Sequence, residues 1–149
     1  MKKILSGLAA MFLFTLAVNA QTVDQIFSKY AKETGVEYVK IGKVGMIFAG
    51  LFGKTMGVDG VDVLNFGHCA PSVKEELNRM IHSFKAFEDP DYELLMTAND
   101  NGEHVSVLVK TKNDSIRELV VLTTKENDVT MIRIRGKIRP SDIKQFINN

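Results

Sequence analysis

The chain has 149 residues, with 19 Lys and Arg against 18 Asp and Glu, so its formal charge is +1. That balance excludes the clear basic excess with which a nucleic-acid binder tracks phosphates. One cysteine, Cys69, excludes an internal disulfide, and the absence of Trp leaves aromatic packing to nine Phe and three Tyr.

Lys2 and Lys3 precede an uncharged run, Ile4 to Val18, of mostly Leu, Ala, Phe and Met. That run is shorter than the ~20 residues that span a bilayer, and Val18-Asn19-Ala20 is a small-residue cleavage site. Residues 1–20 therefore read as a cleavable signal peptide, and residues 21–149 as one domain of ordinary size. Loss of Lys2 and Lys3 leaves 17 basic and 18 acidic side chains. The expected location is the periplasm or the extracellular side, with no transmembrane span after cleavage.

Residues 22–34 set Val23, Ile26, Phe27, Tyr30 and Ala31 at helical spacing, and Gly35 ends the helix. Residues 36–42 read as a strand. Residues 44–56 hold eight apolar residues, three glycines and one charge, Lys54, which predicts a short buried helix. Val58 to Gly60 read as a turn and Val61 to Phe66 as a second strand. Ser72 and Glu75 have the spacing of a capping box, and Val73, Leu77, Met80, Ile81, Phe84 and Phe87 form the apolar stripe of an amphipathic helix.

Four β-rich runs follow: Tyr92 to Ala98, His104 to Thr111, Ile116 to Thr124 and Val129 to Gly136. They are separated by turn residues, of which Asn101-Gly102 is the strongest hairpin signal. A last helix starts near Pro140 and places Ile143, Phe146 and Ile147 on one face. The expected class is α+β: a mixed, largely antiparallel sheet, a four-strand C-terminal meander, and helices packed on one face.

Gly50 to Thr55 has a superficial likeness to a phosphate-binding loop, but Phe48 stands where the first Gly is required. The stretch has two other readings. One is a buried helix whose glycines permit close packing; the other is an exposed apolar surface, through Met46, Ile47, Phe48, Leu51 and Phe52, that docks a partner or a lipid. Arg133, Arg135 and Lys137 alternate along the last strand and share a side of the sheet, with Lys110, Lys112 and Arg117 as candidates for the same face. That stripe is either a solvated face or a docking face for acidic partners.

Cys69, just before a helix start, is a candidate thiolate with His68 or His82 as base, weighed against a small buried hydrophobe. One Cys and three His do not make a closed zinc site, and no cofactor or metal is expected. Glu88, Asp89, Asp91 and Glu93, around Pro90, read as a solvated loop. Asp114-Ser115-Ile116 resembles a short O-glycosylation acceptor of exported proteins in some Gram-negative bacteria, with Ser115 as the acceptor.

Val23 to Tyr30, Gly35 to Ile41, Tyr92 to Met96 before Asn101-Gly102, and Ile132 to Ile138 before Ser141-Asp142-Ile143 together resemble an exported bacterial family, the domain of unknown function 4252. The resemblance implies compartment and fold and carries over no catalytic residue. The first functional reading is a non-enzymatic binding or adaptor module of the Gram-negative envelope, with an envelope protein or a lipid as partner and its oligomeric state open. The alternatives are a thiol-dependent enzyme using Cys69 with a histidine, and a structural envelope component.

Overall fold

The computed structural model describes residues 22–42, 57–82 and 89–147. Residues 1–20, read from the sequence as a signal peptide, the 44–56 stretch with Met46, Ile47, Phe48, Leu51 and Phe52, and the side chains of Met80, Ile81, His82, Phe84, Phe87, Phe146 and Ile147 lie outside the described residues.

The described elements are α1 (Val23–Tyr30), β1 (Glu37–Gly42), β2 (Val58–Asn65), α2 (Pro71–His82), β3 (Glu93–Asp100), β4 (Glu103–Lys112), β5 (Ser115–Lys125), β6 (Asp128–Ile138) and α3 (Pro140–Ile147). The six strands form one sheet in the order β1-β2-β6-β5-β4-β3, and every neighbouring pair is antiparallel. The fold is therefore α+β, dominated by its sheet.

Local chemistry explains most of the boundaries. Thr22 caps α1: its hydroxyl accepts from the Gln25 N–H, and the Gln25 side chain accepts from the Thr22 N–H. Helix α1 stops at Tyr30, short of the expected residue 34, and the chain turns through Gly35 at φ +81°. A side chain at Gly35 would put its Cβ 2.6 Å from the His68 carbonyl oxygen, so this turn is also a packing contact. Asn101 and Gly102 both take positive φ in a two-residue hairpin between β3 and β4, as do Asn113 and Asp114 between β4 and β5.

Two boundaries differ from the sequence reading. Helix α2 starts at Pro71 rather than on a Ser72 cap, and the Val73 and Lys74 N–H groups donate to the Ala70 carbonyl. Proline suits this first helical position because its missing N–H would have no partner there. Val58 to Gly60 belong to β2 and are not a turn. A bulge between Val58 and Gly60 lets the strand run on against β6, and the Lys137 N–H donates to the Gly57 carbonyl at 2.7 Å.

Alternation along the strands gives the sheet two apolar faces. Leu64, Leu108, Val120, Leu122 and Met131 pack with Val23, Ile26, Phe27 and Tyr30 of α1 and Leu77 of α2. Val61, Val109, Ile116 and Ile138 form a second cluster on the other face, against which Ile132, Ile134 and Ile143 of α3 pack. The described helices are thus divided between the faces: α1 and α2 on one, the start of α3 on the other.

Candidate functional site

On the face that carries α1, the apolar core gives way to a polar cluster one residue pair further along the strands. Asp62 is the seed. It follows Val61 and precedes Val63, whose side chains point to the opposite face, so Asp62 must point toward α1. There it is wholly buried. Its partners come from strand pairing: Arg133 stands opposite Asp62 in the β2–β6 register, and Arg135 lies two residues along on the same face. Arg133 donates Nε and Nη2 to Oδ2 at 3.1 and 3.0 Å, and Arg135 Nη2 lies 3.2 Å from the same oxygen. The Tyr38 hydroxyl of β1 donates to Oδ1 at 3.3 Å.

The cluster reaches the helix through Arg133. Its Nη1 donates to Asp24 Oδ1 at 2.6 Å, and its guanidinium carbon sits 4.4 Å from the centre of the Phe27 ring. Toward β4, Glu118 stands opposite Arg135 and accepts from the Tyr92 hydroxyl. Burial raises the Glu118 carboxyl above the usual carboxylate range, although Arg133 and Arg135 pull the other way. Burial, then the Asp62 carboxylate, raises the Tyr38 phenol.

This arrangement settles where the basic stripe sits. Arg133 and Arg135 do share a face, but their guanidinium groups are turned onto a buried carboxylate, and the Arg133 side chain is only 12% exposed. Two cations already matched by Asp62 and Asp24 anchor α1 to the sheet and leave little charge for a partner. Lys137, further along, is exposed, and Lys110 pairs loosely with Asp91 at 4.0 Å. The structure also corrects the reading of the loop around Pro90: Asp89 is buried, and its carboxylate accepts from the Val23 N–H at the start of α1 and from the Asp91 N–H. The sequence held two signals for the cluster, an Asp inside the apolar run Val61 to Phe66 and two Arg spaced by two in the last strand.

Cys69 belongs to the core with Tyr30 and Phe66, whose rings meet edge to face. Its Sγ lies 3.0 Å from the Phe66 carbonyl oxygen, to which the thiol donates, and burial raises the thiol above its ordinary range. Proximity to the α2 N-terminus does not reverse this, because the sulfur faces the core. His68 is exposed beside it.

A triad-like chain, unforeseen in the sequence, lies on β3 and β4. Ser106 Oγ lies 3.3 Å from His104 Nε2, and His104 Nδ1 meets Asn99 Oδ1. With Nδ1–H donating to the Asn99 oxygen, Nε2 accepts from Ser106. Ser106 is completely buried while His104 is half-buried and Asn99 exposed, so the chain gives the buried hydroxyl its hydrogen-bond partner. Ser115 opens β5 directly after the Asn113-Asp114 turn and is half-buried. Among the described residues, no three His, Cys, Asp or Glu side chains converge on a point that could hold a metal ion, and no helix is long and apolar enough to cross a membrane.

Two apolar features remain on the surface. The large hydrophobics most exposed among the described residues are Tyr38 and Val39, at 38% and 49%, and Leu94 and Leu95, at 51% and 48%. All four sit on β1 and β3, the two outer strands of the sheet. A groove of about 210 Å³ crosses the face opposite α1, walled by Val58, Met96, Val107, Leu119, Ile134 and Ile143 among others, all apolar.

No curated protein and no solved structure matches the chain. A family model does, over residues 30–146, which takes in everything from the end of α1 to α3. By that match the chain belongs to the family described as a domain of unknown function, DUF4252.

Proposed function

We propose that this chain is an exported, non-enzymatic binding or adaptor module of the bacterial envelope that takes an extended segment of a protein partner along the outer edge of β1. The observation that carries this reading is the character of that edge. β1 pairs with β2 without a bulge from Glu37 to Gly42, and it is the outermost strand among the described residues. An outer strand presents alternate N–H and C=O groups that an added strand satisfies, and Tyr38 and Val39 supply apolar contact beside them. β3, at the other edge, is blunted by a bulge between Leu94 and Met96. The antiparallel run from β3 to β6 is, in this reading, the rigid scaffold behind the edge.

Native mass spectrometry of the protein purified gently from its envelope fraction tests the proposal. The expected result is a co-purifying polypeptide that is lost in Val39→Asp and kept in Leu95→Asp. A bare protein at its own mass, or a partner retained by Val39→Asp, overturns it.

A further inference from the structure

The two sides of β1 differ in chemistry. Val39 stands opposite Val63 and Ile41 opposite Val61, on the face of the second apolar cluster. Tyr38 stands opposite Leu64 and Lys40 opposite Asp62, on the face that carries α1. A strand laid along the outer edge alternates in the same way, so its residue facing Lys40 is flanked by two that face Val39 and Ile41. We propose that the partner's segment carries an Asp or Glu at the Lys40 position and β-branched apolar residues at the two positions beside it. This specificity rests on the reading of the β1 edge as the docking edge.

Charge decides the central position. Lys40, Asp62 and Arg133 lie in line across β1, β2 and β6. Asp62 is already taken by Arg133, Arg135 and the Tyr38 hydroxyl, and Arg133 reaches on to Asp24. Glu37 lies an odd number of residues from Lys40 on the same strand, hence on the opposite face. Lys40 is exposed and makes no ion pair among the described residues. An acidic side chain directly opposite it on the added strand makes the cross-strand pair that the cluster does not supply, whereas a basic one meets a like charge. On the other face, exposed Val39 and half-buried Ile41 offer apolar surface that valine or isoleucine covers.

The same pairing rules disfavour a second copy. Two β1 edges related by a twofold axis normal to the sheet bring like faces together, so each register is centred on one residue that meets itself. Two such registers pair five strand residues. The one centred on Val39 sets the Glu37 carboxylate against Ile41, and the one centred on Lys40 sets two ammonium groups against each other. A segment with its acid between two apolar residues avoids both conflicts.

Two capped nine-residue peptides test this, each alternating threonine and valine, with glutamate or lysine at the centre between two valines. They are titrated into the isotope-labelled chain, expressed with residues 1–20 present, while the amide resonances of β1 are followed by NMR. The glutamate peptide is expected to bind about tenfold more tightly than the lysine peptide, and the order to reverse in Lys40→Glu. Lys40 is exposed, so that variant is expected to keep the native melting temperature. Salt at about 0.5 M should shrink the preference. Equal binding of the two peptides at β1, or a preference that survives in Lys40→Glu, overturns the acidic assignment and leaves the edge reading standing. Binding by neither peptide, or shifts that spare β1, overturns the edge reading and the acidic assignment with it. A native mass of two chains, with β1 resonances that change on dilution, overturns the proposal in favour of a second copy.

Discussion

Arg133 approaches Asp62 side-on, with Nε and Nη2 at 3.1 and 3.0 Å from one carboxylate oxygen, across a strand pair that joins residues 71 apart in sequence. The carboxylate has no access to solvent, and the guanidinium extends on to Asp24 of α1. The pair lies where the sheet, the first helix and β1 meet. A buried carboxylate needs these donors because desolvating it alone costs more than a domain of this size can supply.

Removing the carboxylate should therefore be the most costly change to the cluster. Asp62→Ala leaves two guanidinium groups facing each other without their shared anion and is expected to cost about 3–5 kcal/mol. Arg135→Ala should cost less, because Arg135 is the more exposed partner and Arg133 still holds Asp62. Urea titration of the two variants checks the order.

The crossing of β2 and β6 rests on two glycines. A Cβ at Gly136 would lie 1.9 Å from the Gly57 carbonyl oxygen, and one at Gly57 would lie 2.0 Å from the Lys137 oxygen. Gly136→Ala should lose about 3 kcal/mol or more, since backbone must move to admit the methyl group. Gly42→Ala meets nothing within 4 Å and serves as the control, with an expected change within about 0.5 kcal/mol. Melting temperatures of the two variants make the comparison.

Glu118 predicts a pH dependence of definite sign. Its carboxyl is raised in the folded protein, chiefly by burial, so the folded state holds a proton that the unfolded chain releases. Its contribution is fully present below the ordinary carboxylate range and declines as pH rises toward and through the raised value. Glu118→Gln keeps a hydrogen-bond acceptor for Tyr92 and removes the titration. Subtracting its stability–pH profile from that of the native protein should leave a difference falling with pH in that window. A flat difference would show that Glu118 titrates as it does in the unfolded chain.

Cys69 should behave as an inert core thiol. Burial raises it, and its sulfur faces the Phe66 carbonyl, so the thiolate is scarce at neutral pH. Maleimide labelling is expected to be at least a hundredfold slower in buffer than in urea. Fast labelling of the folded protein at mildly acidic pH would instead support a thiol-based reaction.

What the sequence carried well was local. Val23, Ile26, Phe27 and Tyr30 were set at helical spacing and are all buried, because a 3.6-residue period can face only one way. Asn101-Gly102 made its hairpin because positive φ is cheap for those residues, and the period of two in the strands chose which side chains met the core. The residues around Val58 were misread because a Gly-Val-Asp-Gly run looks like a turn when its partner strand is unknown. Only the pairing of Val58 with Gly136 brings Gly57 into close contact with β6.

The polar cluster was hidden for the same reason. Alternation around Asp62 says only that it faces away from Val61 and Val63; whether that side is solvent or helix depends on where α1 packs. Arg133 and Arg135 read as a solvated stripe or a docking face until β6 is laid beside β2, when both are found paired with the buried Asp62. Helix and turn positions followed from the sequence because their energetics are decided within a few residues. Burial of charge, the pairing of strands and the division of helices between the two faces were decided by tertiary structure, because each depends on what a distant segment brings alongside.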